Sequence, residues 1–159
     1  MEYRAAVITV SDRCSAGERE DLSGPAVSEM MARAGYEIIY ASIIPDDRGL
    51  IERELIKCAD ELCADIVLTT GGTGFSPRDV TPEATRAVID REAPGIPQAM
   101  LIKSLEITPR AMLSRAVCGL RGGALIINLP GSAKAAVENL SAVIDTLEHA
   151  LRMLGGEGH

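Results

Sequence analysis

The sequence predicts one α/β domain in three layers, with helices on both faces of a mostly parallel sheet. Three observations carry this. Short β-branched runs alternate with runs of helical period, the pattern of successive βαβ units. The strand candidates at 4–10 and 66–70 are almost wholly apolar, as strands covered on both faces are. The length, 159 residues, is that of one domain, and residues 1–159 contain no repeat, low-complexity tract or linker that would divide them.

Taken in order, Arg4–Val10 (RAAVITV) is the first strand, and a polar loop, 11–23, follows it. Pro25 stands where a helix takes its first residue. Val27, Met30, Met31 and Ala34 then recur at helical spacing up to Gly35. Glu37–Ile44 is a second strand, closed by Pro45-Asp46-Asp47. Leu50, Ile51, Leu55, Ile56, Ala59 and Leu62 mark one face of the next helix, and Ile66–Thr70 is the third strand. Thr81-Pro82-Glu83 reads as N-cap, first-turn proline and first-turn acid of a helix. Residues 86–105 are helix or loop, interrupted at Ala93-Pro94-Gly95, and 109–115 form a short helix. Residues 116–120 and 124–129 are two further strands. From Ala136 to Leu154 a single apolar stripe predicts a long last helix.

Composition excludes several classes of function. Sixteen Lys and Arg stand against 23 Asp and Glu, for a net charge of −7. Nucleic acids and anionic membrane surfaces call for a basic face instead. Only Tyr3, Tyr36, Tyr40 and Phe75 are aromatic, too few for a platform on which bases stack. No run approaches the ~18–20 apolar residues of a membrane span. Cys14, Cys58, Cys63 and Cys118 have neither CxxC nor zinc spacing. Cys63 and Cys118 read as small buried hydrophobes. Met1 leads directly into the first strand without a signal-peptide pattern, so a cytoplasmic location is expected.

In open α/β sheets ligands bind outside the carboxyl ends of the strands, and the chemistry-bearing residues fall there repeatedly. Ser11 and Asp12 follow the first strand, and Asp46 and Asp47 the second. Gly71, Gly72, Thr73 and Gly74 follow the third, with Ser76-Pro77-Arg78-Asp79 beyond. Asn128-Leu129-Pro130-Gly131-Ser132 closes the last. A glycine loop lets backbone N–H groups face a phosphate, and Thr73 adds a hydroxyl. It is neither a Walker loop, for no Lys-Ser or Lys-Thr follows, nor a GxGxxG fingerprint. Asp46 and Asp79 are the candidate carboxylates, able to hold Mg²⁺ beside that loop or, for Asp79, to position or deprotonate an attacking group. Each could equally be a turn or helix-flanking acid. Ser132 is the expected cap of the last helix, with Lys134 nearby. His149 lies within that helix and His159 at the terminus, and neither is placed to act as a base.

The run from Leu68 to Thr85 (LTTGGTGFSPRDVTPEAT) closely resembles the signature of the molybdopterin adenylyltransferases, the MogA and MoaB group with the related domains of gephyrin-like proteins. Further matches occur in order at Thr9-Val10-Ser11-Asp12, Ile44-Pro45-Asp46, Thr108–Arg115 and Ile127–Gly131. The resemblance implies transfer of an adenylyl group from Mg²⁺·ATP to the terminal phosphate of molybdopterin, with release of pyrophosphate. It carries the family's two essential carboxylates, which serve metal and substrate positioning, onto Asp46 and Asp79. Its nucleotide-phosphate loop falls on Gly71, Gly72, Thr73 and Gly74. Ser11, Asp12, Ser114, Asn128, Pro130 and Gly131 fall in or beside segments lining the nucleotide and pterin pockets. Ser132-Ala133-Lys134 after the Pro-Gly turn is a MoaB-branch form, whereas Phe75-Ser76-Pro77-Arg78 leans toward the adenylyltransferase branch. The alternative reading is a non-catalytic module of the same fold that binds pterin or nucleotide. The resemblance further implies a homotrimer or hexamer, and a molybdenum insertase as a separate protein.

Overall fold

The computed structural model describes residues 2–157, so His159 lies outside the described residues. Six strands form one sheet in the order β2-β1-β3-β6-β5-β4. They are β1 (Arg4–Val10), β2 (Glu37–Ile44), β3 (Ile66–Thr70), β4 (Arg91–Glu92), β5 (Cys118–Arg121) and β6 (Ala124–Leu129). β2, β1, β3 and β6 run parallel, and β5 returns antiparallel to both β6 and β4. The helices are α1 (Asp12–Ser15), α2 (Ser23–Arg33), α3 (Arg48–Ile56), α4 (Thr81–Val88), α5 (Gly95–Leu105) and α6 (Ala133–Leu154).

The period-2 alternation of the strands sorts the core into two halves. Ala5, Val7, Ile66, Leu68, Leu125 and Ile127 face Val27 and Met31 of α2, Met100 of α5, and Leu140 and Leu147 of α6. Ala6, Ile8, Val10, Val67 and Ile126 face Ile51 and Leu55 of α3 and Ala84 and Val88 of α4. β1, β3 and β6 are thus buried on both faces, which is why they read as unbroken apolar runs. Each Leu or Ile so enclosed contributes about 1.5–3 kcal/mol relative to exposure.

Several local expectations are corrected. The 11–23 segment is not all loop, because Ser11 Oγ accepts from Cys14 N–H at 3.1 Å and caps the single turn α1. α2 begins at Ser23, ahead of Pro25, with Asp21 Oδ1 accepting from Gly24 N–H at 3.1 Å. Thr81 does not cap α4: its hydroxyl turns back to the Gly71 carbonyl at 3.0 Å. The interrupted 86–105 region contains the two-residue strand β4, and β5 starts at Cys118 rather than residue 116. The short helix at 109–115 is a 3₁₀ turn, Pro109–Leu113. Cys63 is exposed, not buried. A π-helical turn, Lys57–Glu61, advances the chain past the apolar face of α3. Cys63 then takes φ 53° as the chain reverses toward β3. Cys58 and Cys118 are the buried thiols.

Candidate functional site

The strand order reverses at β1, with β2 on one side and β3 on the other. Loops leaving β1 and β3 therefore diverge to opposite faces and open a crevice between them. Into it come the β1 loop with Ser11 and Asp12, the β3 loop Gly71–Gly74, and the β6 loop Pro130-Gly131. The glycines are required by this crowding. Gly71 has φ 95°, and a Cβ there would run into the Val10 carbonyl. Gly72 has φ 70°, and its Cβ would strike the Thr81 hydroxyl. Gly131 packs against Gly71, so the β3 and β6 loops touch backbone to backbone.

Two cavities meet along this double-glycine wall, and Ser132 lines both. The first, about 580 Å³, is polar and is bordered by Ser11, Asp46, Gly71, Gly72, Asp79 and Gly131. The second, about 510 Å³, is mainly apolar and is bordered by Thr73, Gly74, Ser114 and Pro130 together with side chains of α5 and α6. The expected residues thus divide between two adjoining compartments, except that Asp12 and Asn128 line neither. Ser132 caps α6 by accepting from Ala135 N–H at 3.2 Å, which leaves the amino end of a 22-residue helix at the shared wall.

Asp46 is fixed by an exchange with Asp12. The Asp12 amide donates to Asp46 Oδ2 at 2.9 Å, and the Asp46 amide donates to Asp12 Oδ1 at 3.0 Å. Arg78 grips Asp12 with two bonds, Nε to Oδ2 at 3.0 Å and Nη2 to Oδ1 at 2.9 Å. The Arg78 guanidinium holds the Asp12 carboxyl below its ordinary value, with the Asp46 amide assisting. Burial pushes the Asp46 carboxyl the other way, upward. The charges of Asp12 and Asp79 add to that, against the Asp12 amide and Arg78. Asp79 Oδ2 accepts from the Ser76 amide at 2.9 Å. Among the described residues, Asp46 Oδ1 and Asp79 Oδ1 have no hydrogen-bond donor.

A second bracket holds the loop that carries Asp79. Arg115 N–H donates to Thr73 O at 2.8 Å, its Nε to Gly74 O at 2.8 Å, and its Nη2 to Asp79 O at 2.8 Å. Its Nη1 reaches Glu83 Oε2 at 2.7 Å, and this partner lowers the Glu83 carboxyl. Each half of the site thus has its own arginine clamp. Neither Arg78 nor Arg115 is legible as a site residue from the sequence, although both lie within the signature-like segments. Arg19 and Cys14, on the rim of the polar cavity, had no sequence signal at all.

Asn128 corrects an expectation. It does not line a ligand pocket, for it is fully buried. Its Nδ2 donates to Thr69 Oγ1 at 3.1 Å and Thr85 Oγ1 at 2.9 Å, and its Oδ1 accepts from Val117 N–H at 3.0 Å. It braces β6 to β3, α4 and the segment before β5, beneath the wall between the cavities.

Comparison with known proteins identifies the family and the fold. The family model described as "Probable molybdopterin binding domain" matches residues 6–149. The molybdopterin adenylyltransferase of Helicobacter pylori is 43% identical over 152 residues, covering 94% of this chain and 86% of that protein. The Escherichia coli protein of the same name is 44% identical over 145 residues, covering 89% and 74%. The Drosophila melanogaster molybdenum cofactor synthesis protein cinnamon is 40% identical, but the chain spans only 25% of its length. Among solved structures, the molybdopterin biosynthesis enzyme MoaB of Thermus thermophilus superimposes with a TM-score of 0.92 at 45% identity, covering 97% of both chains. The tungsten cofactor synthesizing protein MoaB of Pyrococcus furiosus gives 0.88 at 35% identity, covering 96% of both. A match this long, joined to a shared fold, makes the chain a member of the molybdopterin-binding domain family.

Proposed function

We propose that the chain is a molybdopterin adenylyltransferase acting in molybdenum cofactor biosynthesis. The observation that carries the reading is the pair of half-engaged carboxylates. Asp46 and Asp79 each spend one oxygen on a backbone amide and keep the other free at the polar cavity. Relatives named molybdopterin adenylyltransferase, 43% and 44% identical over most of the chain, support the activity.

Two carboxylates are a suitable holder for Mg²⁺. That ion keeps several waters and takes only one or two protein oxygens, completing its shell with substrate phosphates. Asp46 and Asp79 would hold it, and it would neutralise charge on the ATP phosphates. The rest is positioning. Backbone amides of the glycine loop and the amino end of α6 receive phosphate oxygens where the two cavities meet. An oxygen of the terminal phosphate of molybdopterin attacks the α-phosphorus of ATP. The bond between the α-phosphorus and the α–β bridging oxygen breaks, and pyrophosphate leaves with that oxygen. Two ligands on opposite sides of one wall bring their phosphates together with their ring ends apart, an arrangement that lowers the entropic barrier to transfer.

Among the described residues, nine large apolar side chains are exposed, including Ile102, Leu105, Ile107, Met112 and Leu113 along α5 and the following turn. They support self-association, and a homotrimer or hexamer is the assembly we assign. Free thiols at all four cysteines suit a reducing compartment, the cytoplasm. The adenylylated pterin would then pass to a separate metal insertase.

The test is the reaction itself: purified protein with molybdopterin, ATP and Mg²⁺ should release pyrophosphate and form adenylylated molybdopterin. Binding of both ligands without that product would refute the transfer reaction.

A further inference from the structure

The mainly apolar cavity, about 510 Å³, holds polar atoms that the protein does not use. Glu138, on α6, borders it. The backbone carbonyl of Glu138 accepts from Ser141 Oγ at 2.8 Å, but its carboxylate has no hydrogen-bond or ion-pair partner among the described residues. Asn139 commits its Nδ2 to Ala135 O at 2.8 Å, which leaves Oδ1 without a donor. Ser104 Oγ is buried at the α5 wall with no partner. Around these acceptors the walls are apolar: Met100, Leu101 and Leu113.

Ionised carboxylates only accept hydrogen bonds, and in an apolar cavity they favour a ligand edge with adjacent donors. The two rings of the proposed reaction differ here. A 2-amino-4-oxopteridine presents two neighbouring donors, the 2-amino group and N3–H, beside the 4-oxo acceptor. Adenine presents its amino donor beside the N1 lone pair, which would face the second carboxylate oxygen.

We propose that Glu138 is the specificity-determining residue for the pterin, accepting hydrogen bonds from its 2-amino group and N3–H in the cavity between α5 and α6. Arg110, also on this cavity, supplies a donor for the 4-oxo oxygen. The proposal rests on the adenylyltransferase reading for the identity of the second substrate, and it assigns the nucleotide to the polar cavity. Among the described residues no aromatic side chain lines the apolar cavity, so selection falls on the ring's edge rather than its face. Glu138 is partly exposed in the open cavity, and a ligand that covers its carboxylate without pairing it is rejected.

The test uses the intact protein and two fluorescent probes, pterin itself and lumazine, which carries a carbonyl oxygen in place of the 2-amino group. The wild type should bind pterin at least about tenfold more tightly than lumazine. Glu138→Gln, whose amide can donate to the lumazine oxygen, should lose most of that preference while keeping the wild-type melting temperature. In turnover the same variant should raise KM for molybdopterin and leave KM for ATP unchanged. Equal binding of the two probes, binding of neither, or an unaltered preference in Glu138→Gln overturns the proposal. So does a rise in KM for ATP alone, which would put adenine in this cavity. A wild type that prefers pterin but forms no adenylylated product would remove the transfer reaction and leave the role of Glu138 standing.

Discussion

Asp12 and Asp46 lock each other in place: each backbone amide donates to the other's carboxylate, at 2.9 and 3.0 Å. The exchange ties the loop after β1 to the loop after β2, and Arg78 anchors it from the β3 side through Asp12. Three strand ends are thereby joined through one carboxylate. Asp46 is left with one oxygen engaged and one available, the arrangement Asp79 reaches independently through the Ser76 amide.

Removing charge while keeping that framework separates chemistry from folding. Asn retains an oxygen that can accept from the Ser76 amide, so Asp79→Asn should keep the loop in place. It loses the negative charge on which a divalent cation depends. Pyrophosphate release should fall on the order of a hundredfold or more, as when charge stabilisation of several kcal/mol is lost. Steady-state kinetics and a thermal melt check this together. Near-normal turnover, or a collapsed melting temperature, contradicts it.

The glycine wall predicts a graded pair of variants. Gly72 and Gly122 both have positive φ, 70° and 54°, but a Cβ on Gly122 meets nothing within 4 Å. Gly122→Ala should therefore cost only the left-handed strain, about 1–2 kcal/mol. Gly72→Ala adds a collision with Thr81, whose hydroxyl holds Gly71 O at 3.0 Å. Its cost should exceed that of Gly122→Ala by about 1–3 kcal/mol. Urea unfolding of the two variants measures the difference, and equal losses would mean that the wall is not close-packed.

The legibility of this site followed from what each residue type must satisfy. β1, β3 and β6 were readable because burial on both faces makes them almost wholly apolar, and β2 because it is an isoleucine-rich run closed by Pro45-Asp46. β4 was not, since Arg91 and Glu92 are exposed and carry no such pattern. Cys63 was misread because helical phase cannot foretell a π turn that shifts it by a residue. Asn128 sits in a signature-like segment for a packing reason, and a motif does not separate a brace from a ligand contact. The division into two cavities needed the structure: Gly72 and Gly74 are two residues apart yet line different compartments.

The Arg115 bracket predicts an acid-sensitive contribution to stability. Arg115 holds the Glu83 carboxyl below its ordinary value of 4.5. A carboxyl depressed by folding stabilises the native state above its unfolded pKa, and that contribution disappears as pH falls through the folded value. Glu83→Gln should thus be less stable than wild type at pH 7, and the gap should close progressively as pH falls below 4.5 and through the lowered folded value. Both side chains are about one-third exposed, 34% and 37%, so the gap should not exceed about 1 kcal/mol. Urea midpoints at a series of pH values measure it, and a gap that widens in acid would reverse the assignment.

Thiol chemistry reports on the polar cavity directly. Burial pushes the Cys58 and Cys118 thiols up to about 12, and both are enclosed. The thiolate is the reactive form, so neither should alkylate in the native protein. Cys63 is exposed, and Cys14 is partly exposed on the rim of the cavity that holds Asp46. Native protein at pH 8 should therefore take up iodoacetamide at Cys63 and Cys14 alone, and unfolded protein at all four. If the nucleotide occupies the polar cavity, Mg²⁺·ATP should slow labelling of Cys14 severalfold and leave Cys63 unaffected, as peptide mass mapping would show. Protection of Cys63 instead, or equal labelling of Cys14 with and without nucleotide, would place ATP elsewhere.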